Sequence, residues 1–256
     1  MTDISREEFG RFLDELLKPS EFDDFGPNGL QVEGRAKIQR VAFAVSATAM
    51  SIAESVRLEA DALIVHHGLF WKFHGSLPIV GPFARRLVPL VRNDINLYAY
   101  HLPLDAHLEI GNAAGLARAI GLSEIKPFGE PKGQPMGVRG QLAPARVASD
   151  LKRVLSKVLD HPVLLASPDE SRLVGSIGII TGGANSQWRL AKQQGLDAYI
   201  TGEMSEHDWH ESQEAGIHML AGGHYATEVF GVKALLERIS QECGLECFFI
   251  PSQNPA

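Results

Sequence analysis

Short apolar runs alternate with amphipathic segments along most of the chain. In the first half, the apolar runs fall at 40–46, 61–65 and 95–100, and the helical patterns at 49–59, 82–92 and 112–120. In the second half, strands are predicted at 174–180, 197–201, 217–221 and 246–250, and helices at 186–194, 206–215 and 226–242. Strands that alternate with helices in this way are typical of parallel βαβ units. The pattern therefore predicts an α/β fold with largely parallel sheets.

The two halves of the chain repeat each other. Residues 41–68 align with residues 177–204 without a gap, so that Asp61 falls on Asp197 at an offset of 197 − 61 = 136. Each copy is a strand, a turn of small residues, a helix and a second strand. The second strand of each copy is an almost uninterrupted apolar run, which is the pattern of a strand buried on both faces of a parallel sheet. We therefore expect two pseudo-repeated βαβ halves.

The region between the halves has a different composition. The stretch 126–142 is rich in Pro and Gly and has no helical period, so it is interpreted as a boundary or an excursion. A helix at 147–158 and a short strand at 162–166 complete a small insert. The predicted organisation is one unit made of an N-terminal α/β half at 1–125 and a C-terminal α/β half at 126–256, which opens with the insert at 126–172.

The composition is that of an ordinary globular protein and excludes several classes. The 256 residues are 45% hydrophobic and carry a net charge of −7, enough for a full core in one large domain or two small ones. With no apolar run of about 18 residues, no membrane span is expected. The N-terminus is predicted to be an acidic helix at 5–17 with the capping pair Ser5 and Glu8, unlike a secretion signal. We therefore expect a cytoplasmic protein, and the lack of a Lys/Arg block disfavours nucleic acid as a partner.

Residues able to bind metals follow the predicted strands. His66 and His67 come directly after a buried strand, and Glu203 follows the equivalent strand of the second half. Ligands of parallel sheets bind beyond the carboxyl ends of the strands. Adjacent histidines on an extended chain point to opposite sides, which suits two neighbouring metal ions better than one.

A second recurring pattern places a histidine four residues before a carboxylate. The pairs are His101 with Asp105 and His224 with Glu228, each just after a short apolar run. One such pair occurs by chance on exposed helices, but its recurrence in both halves makes it a stronger signal. We therefore expect one shared metal site at the carboxyl ends of the strands, between the two halves.

The donors form a mixed set. Carboxylate oxygens are able to bridge two cations, and imidazole nitrogens favour transition metals over calcium or magnesium. Three histidines and two carboxylates fit a dinuclear centre with two divalent ions, which could be iron, zinc, manganese, nickel or cobalt.

Six stretches of sequence form a specific, ordered set of motifs. They are NGLQVEG at 28–34, IVHHGLFW at 64–71, YHLPLDAH at 100–107, GNAAGLA at 111–117, DAYITGEMSEH at 197–207 and GGHYATE at 222–228. In this order they closely resemble the NIF-three-like family, whose members are commonly labelled GTP cyclohydrolase 1 type 2 homologues. The resemblance covers nearly the whole chain, is weakest over 124–172, and is that of a bacterial member of the short form.

The resemblance implies both a site and an assembly. The family's two-metal site maps onto the five residues already indicated by spacing, which are His66, His67, Asp105, His224 and Glu228. It also implies a homohexamer shaped as a hollow toroid, with the metal sites facing the interior.

The resemblance further implies a hydrolase acting on a nucleotide. In purine ring opening of GTP, a metal-bound hydroxide would attack C8, and a proton would pass to the departing nitrogen. Glu203 and His101 are the candidates for the proton carrier. Two other functions fit the same residues: a metal-dependent phosphoester hydrolase, and a non-catalytic metal-binding ring or interaction protein.

Overall fold

The structure is a computed structural model that describes residues 3–129 and 134–256. Its strands are β1 (Ile4–Ser5), β2 (Gly29–Val32), β3 (Lys37–Ile38), β4 (Arg40–Ser46), β5 (Ala62–His67), β6 (Asn96–Ala99), β7 (Leu122–Phe128), β8 (Gly137–Val147), β9 (Leu164–Ala166), β10 (Leu173–Ile179), β11 (Ala198–Thr201), β12 (His218–Ala221) and β13 (Glu246–Phe249). Its helices are α1 (Arg6–Leu17), α2 (Ala49–Arg57), α3 (Gly81–Arg92), α4 (Leu102–Ala106), α5 (Asn112–Ala119), α6 (Ala148–Leu159), α7 (Trp188–Gln193), α8 (Glu206–Glu214), α9 (His224–Thr227) and α10 (Val229–Cys243). The predicted α/β class is confirmed.

The chain divides into two compact units. The first comprises the chain up to Leu104 together with Val232–Gln253, and the second comprises Asp105–Gly231 together with Asn254–Ala256. This division differs from the predicted boundary between residues 125 and 126. The reason is that α5 and β7 pack against β8 in the second unit, whereas β13 returns to pair with β4 in the first.

The first unit is built on a five-stranded sheet in the order β13-β4-β5-β6-β2. The four strands β13, β4, β5 and β6 run parallel, and β2 pairs antiparallel with β6 at the edge. β4 and β5 are buried over almost their whole length, as their apolar sequences predict. Ile52 of α2 and Leu90 of α3 are fully buried in the same core cluster as Leu63 and Leu97 of the sheet.

The second unit is built on a mixed six-stranded sheet in the order β7-β8-β10-β11-β12-β9. β10, β11 and β12 run parallel, as expected, whereas β8 pairs antiparallel with both β7 and β10, and β9 pairs antiparallel with β12. The strands β8 and β9 of the predicted insert are therefore integral to this sheet.

The stretch 126–142, interpreted above as a boundary or an excursion, belongs largely to strands. Apart from 130–133, which lie outside the described residues, it contains the end of β7 and the first half of β8. Its glycines serve close packing: a Cβ on Gly137 would lie 2.0 Å from the carbonyl oxygen of Ile179, and one on Gly140 2.8 Å from that of Ser123. Glycine here permits neighbouring backbones to approach closely. A high glycine content alone does not distinguish such a closely packed strand from a loop.

The predicted repeat is preserved in the strand registers. Val41 pairs with Ala62 in the first sheet, and Ile177 pairs with Ala198 in the second. The offset between Val41 and Ile177 is 177 − 41 = 136, and the offset between Ala62 and Ala198 is the same, 198 − 62 = 136. The two units therefore use the same βαβ geometry at the aligned positions, which confirms the pseudo-repeated halves.

The aligned aspartates make the same contacts in the two units. Asp61 Oδ2 accepts hydrogen bonds from the backbone N–H groups of residues 39 and 40, at 2.7 and 2.9 Å. Asp197 Oδ2 accepts hydrogen bonds from those of residues 175 and 176, at 3.0 and 2.9 Å. Each carboxylate thus binds the start of the preceding parallel strand at equivalent positions, and holds the two strands in register.

α1 begins with the expected capping box, in which Ser5 Oγ accepts from Glu8 N–H and Glu8 Oε2 accepts from Ser5 N–H, both at 3.2 Å. Within the described ranges, no helix is long and apolar enough to cross a membrane.

Asp197→Asn is expected to lower the free energy of unfolding by about 1–2 kcal/mol at pH 7, because hydrogen bonds to a charged acceptor are stronger than those to a neutral one. Burial raises the pKa of Asp197, but hydrogen bonds from Gly175 and Ser176 outweigh it and hold the pKa below 3.8. A folded pKa below the unfolded one stabilises the protein above the unfolded pKa, and this stabilisation is lost as the pH falls through the folded pKa. Urea denaturation from pH 7 to 3 measures the effect.

The matched control is Asp160→Asn. Asp160 ends α6 in the left-handed region at φ 49°, which asparagine also tolerates. We expect its free energy of unfolding to stay within about 0.5 kcal/mol of the unsubstituted protein. Equal losses in the two variants, or a loss at Asp197 that does not shrink at low pH, would contradict the assignment.

Candidate metal centre

The first unit brings three imidazoles together. His66 and His67 end β5, and His101 follows β6, the neighbouring parallel strand. One ring nitrogen from each of the three lies within 4.8 Å of the others. This group is called the histidine cluster below. It contains two predicted ligands and one of the two predicted proton carriers.

Hydrogen bonds at Nδ1 orient the adjacent histidines. His66 is fully buried, and its Nδ1 lies 3.0 Å from the carbonyl oxygen of Tyr100. Because a carbonyl oxygen only accepts, Nδ1 of His66 carries the hydrogen and Nε2 keeps its lone pair for a ligand. His67 Nδ1 lies 3.0 Å from Ser46 Oγ, at the end of β4. The centroids of the two rings are 4.6 Å apart, although their Nδ1 atoms contact different neighbouring strands or strand ends.

His101 is held by a carboxylate, that of Asp24, which no motif in the sequence indicates. Asp24 is 4% exposed, and its Oδ1 accepts a hydrogen bond from His101 Nδ1 at 2.7 Å. Burial raises the pKa of Asp24, but the hydrogen bond and charge of His101 outweigh it and bring the pKa below its usual value. Asp24 therefore stays ionised and acts as an acceptor. The two residues are 77 positions apart in sequence, so no local spacing indicates the contact.

The second unit brings the predicted acidic ligands together. Asp105 in α4 and Glu228 at the end of α9 are 7% and 2% exposed, and an oxygen of each lies within 4.8 Å of the other. Asp105 Oδ1 accepts hydrogen bonds from Asn112 Nδ2 at 2.9 Å and from Thr181 Oγ1 at 3.2 Å. Two buried carboxylates at this separation repel each other, and a divalent cation relieves that repulsion. The donor set therefore fits a metal.

His224 joins this group, called the carboxylate cluster below, through both ring nitrogens. Its Nε2 lies 3.2 Å from Glu228 Oε1 and its Nδ1 lies 2.5 Å from Glu203 Oε1, so the structure brings the three predicted residues together. Burial lowers the pKa of His224, but the hydrogen bonds and charges of Glu228 and Glu203 outweigh it and raise the pKa to about 9. A carboxylate on Nδ1 is the usual support of a metal-binding histidine.

The two histidine–carboxylate pairs are not structurally equivalent. His101 lies before α4 and turns towards Asp24, whereas His224 is the first residue of α9. Asn96 and His218 occupy equivalent positions in the two repeats. Asn96 pairs with Ala62 of β5, and His218 pairs with the aligned alanine of β11, Ala198. The offset between these equivalent strand positions is 218 − 96 = 122, whereas the offset between the two histidines is 224 − 101 = 123. One additional residue before α9 therefore moves His224 out of the position of His101, and the recurrence predicted equivalence where the structure has two different arrangements.

The loop after β10 leaves room for the carboxylate cluster. Gly182 has φ +67°, and a Cβ there would lie 2.2 Å from Glu228 Oε1 and 3.1 Å from His224 Nε2. Its backbone N–H donates to Thr227 Oγ1 at 3.1 Å. Glycine at this position is therefore a condition for Glu228 to occupy its place.

Family and sequence comparisons agree with the motifs. The model of the Duf34/NIF3 (NGG1p interacting factor 3) family matches residues 4–255. The chain is 38% identical over 250 residues to the GTP cyclohydrolase 1 type 2 homolog of Haemophilus influenzae, over 97% of this chain and 98% of that protein. It is 40% identical over 250 residues, with the same coverage, to the protein of that name from Escherichia coli K12.

Solved structures show the same fold. A protein described as ybgI, of unknown function, shares 38% identity with a TM-score of 0.91, over 99% of this chain and all of that one (100%). A protein from Thermus thermophilus shares 34% identity with a TM-score of 0.90, over 99% and 100% of the two chains. Reduced HcgD from Methanocaldococcus jannaschii, at 21% identity and a TM-score of 0.87 over 98% and 100%, shows likeness of fold alone.

Gly182→Ala is expected to lower the content of tightly bound divalent metal, because the added methyl group displaces the Glu228 carboxylate. Gly195→Ala is the matched control, since Gly195 has φ +72° and nothing within 4 Å of its Cβ position. Both variants carry the backbone cost of a left-handed alanine, about 1 kcal/mol. Elemental analysis after dialysis, with thermal unfolding of both, measures the difference. Equal metal content in the two variants would show that Glu228 does not need this space.

Proposed function

Because the chain belongs to the Duf34/NIF3 family, we propose that it is a metal-dependent hydrolase that opens the purine ring of GTP or a related heterocycle. The observation that carries the proposal is the donor set of the two clusters. Three imidazoles meet in the first unit, and two buried carboxylates meet a histidine in the second. Mixed nitrogen and oxygen donors of this kind suit transition metals. The name of the relatives, GTP cyclohydrolase 1 type 2 homolog, supports the choice of substrate.

Two divalent ions are proposed, with His66, His67, Asp105, His224 and Glu228 as their ligands. The Nδ1 contacts of His66 and His224 support this assignment, because each leaves Nε2 as the ligand atom. Iron, zinc, manganese, nickel and cobalt all accept these donors. When bound, such ions lower the pKa of water and stabilise developing negative charge.

The two predicted proton carriers have different surroundings. Glu203 is hydrogen-bonded to His224 Nδ1, which makes it a positioning residue for that ligand. His101 donates from Nδ1 to Asp24, so its Nε2 is able to accept a proton and to deliver one. Hydrolysis of each C–N bond at C8 consumes one water molecule and leaves one proton on the departing nitrogen. Cleavage of both bonds releases formate, and we assign the proton transfer to His101.

The assembly belongs to the proposal as well. Family membership supports a homohexameric toroid, and exposed apolar side chains support burial by another copy. Phe73, Ile79 and Val80 are 69%, 58% and 64% exposed in the first unit. A cytoplasmic location and the absence of a membrane or nucleic-acid partner stay predictions from composition and charge.

Protein purified without chelator or affinity nickel is expected to hold about two metal ions per chain and to release formate from GTP. Glu228→Gln should lose both, because it removes a buried charge from the carboxylate cluster. His210→Ala is the control, since that histidine lies on the exposed face of α8. Elemental analysis and separate assays of formate and phosphate measure the outcome. Phosphate alone would assign phosphoester hydrolysis, and metal with neither product would assign a non-catalytic metal-binding protein.

His101→Gln and Glu203→Gln are expected to fail in different ways. His101→Gln should retain metal and lower kcat by about 100-fold or more, the usual contribution of a general acid or base. Glu203→Gln should lower metal affinity by roughly 10- to 100-fold, because it supports a ligand. Competition with a chromogenic chelator gives the affinity, and steady-state formate release gives kcat. Full turnover by His101→Gln would exclude it as the proton carrier.

A further inference from the structure

We propose that Asp24 is a positioning residue that fixes the tautomer and direction of His101, so that the reacting nitrogen of this imidazole is Nε2. The inference deepens the proposed function and rests on it where turnover is concerned, because His101 is there the proton carrier. The contacts that support it are independent of the substrate. They lie entirely within the first unit, in the loop before β2 and in the residues that follow β6.

Four donors converge on the Asp24 carboxylate. Oδ1 accepts from His101 Nδ1 at 2.7 Å and from the N–H of Phe25 at 2.6 Å. Oδ2 accepts from the N–H of Leu102 at 2.8 Å and from Asn28 Nδ2 at 2.9 Å. Each oxygen therefore has two donors and the carboxylate is almost completely buried. This environment suits an ionised, acceptor-only group.

The same loop also grips the backbone of His101. Asn28 Oδ1 accepts from the N–H of His101 at 2.8 Å, while the amide nitrogen of Asn28 donates to Asp24. The side chain of His101, its backbone N–H and the N–H of Leu102 are thus all hydrogen-bonded to residues 24–28. The imidazole is therefore fixed both at its backbone and at Nδ1.

The loop itself is anchored on the chain that follows β5. The N–H of Lys72 donates to the carbonyl oxygen of Phe25 at 2.7 Å. A Cβ on Gly26 would lie 2.4 Å from the carbonyl oxygen of Phe70, so glycine is required for this close approach. The support of His101 is therefore fixed relative to the segment that begins at His67.

Neighbouring rings oppose a flip of the imidazole. Trp71 meets His101 edge to face at 5.2 Å between centroids, Phe25 lies at 6.1 Å and His66 at 5.0 Å. A flip would exchange Nδ1 for a carbon and break the bond to Asp24. With Nδ1–H donating to a carboxylate, the lone pair of the neutral ring is on Nε2. An aspartate in this relation to a histidine sets the tautomer and orientation of a general base in hydrolytic triads.

An amide in place of the carboxylate would disturb this arrangement selectively. In Asp24→Asn, whichever way the new side chain turned, its NH2 group would face one backbone donor, because one of these lies on each side. Backbone N–H groups cannot become acceptors, whereas the ring of His101 becomes one by moving its hydrogen to Nε2. We therefore expect the Nε2–H tautomer to dominate in this variant.

The test uses the full-length, zinc-loaded protein with 15N-labelled histidine and solid-state NMR, in which signals lost in His101→Gln identify His101. Unsubstituted protein is expected to show a protonated Nδ1 and an unprotonated Nε2, and Asp24→Asn a hydrogen on Nε2. Asp23→Asn is the matched control, because that exposed carboxylate pairs with Lys72 at the surface, and its spectrum should not change. A protonated Nε2 in the unsubstituted protein would overturn the proposal, and so would an unchanged tautomer in folded Asp24→Asn.

Turnover provides the second measurement. Asp24→Asn should lower kcat for formate release by about 100-fold, with metal content kept and KM changed by less than about twofold. If GTP is not the substrate, the NMR spectra still decide the role of Asp24. Failure of the proposed reaction is therefore distinguishable from failure of the positioning role. If Asp24→Asn does not fold, Asn28→Ala takes its place. Asn28→Ala keeps the carboxylate of Asp24, so the Nδ1–H tautomer of His101 should persist. Loss of that tautomer would show that Asn28, and not Asp24, fixes it.

Discussion

Two carboxylates, Asp105 and Glu228, are buried within 4.8 Å of each other, and this proximity constrains the side chains around them. Like charges in a weakly polar environment repel strongly, and each also loses its hydration. Asn112 and Thr181 donate to Asp105, and His224 lies against Glu228. Such an arrangement stabilises a cation far better than it stabilises the protein without one. The stability of the fold alone gives no reason for this geometry, whereas a bound cation, as proposed above, would explain it.

The repeat shows how one scaffold supports different donors. Asp61 and Asp197 hold equivalent strand pairs in the same register, so the backbone delivers its strand ends in the same way in both units. At those ends the side chains differ: His67 occupies the position of Glu203, at the offset 203 − 67 = 136. A proposed ligand in the first unit thus corresponds, in the second unit, to the carboxylate that is hydrogen-bonded to the proposed ligand His224. The scaffold fixes where chemistry is placed, and individual residues at the strand ends fix which chemistry it is.

Periodic features of the chain were predictable because they depend on near neighbours. Buried parallel strands follow from continuous apolar runs, and helical spacing allows His224 and Glu228 to face the same side. The role of Asp24 was not predictable, because a loop residue meets a histidine 77 positions away only through the tertiary fold. The strand at Gly137 was missed for another reason: glycine there allows a close approach of backbones, and composition does not separate this use from a turn. The recurrence of a histidine before a carboxylate overstated the symmetry, since a shift of one residue changes the partner of the ring.

All four histidines of the two clusters are anchored through Nδ1, but by partners of different basicity. His66 meets a backbone carbonyl oxygen and His67 a serine hydroxyl, whereas His101 and His224 meet the carboxylates of Asp24 and Glu203. For His66 and His101, whose partners only accept, Nδ1 carries the hydrogen and Nε2 keeps the lone pair of the neutral ring. A carboxylate partner orients the ring through a charge-assisted hydrogen bond, which a neutral partner does not provide. The proposed ligand His224 and the proposed proton carrier His101 therefore have the same kind of support. What separates their proposed roles is the environment of Nε2, since Nε2 of His224 lies 3.2 Å from Glu228 Oε1.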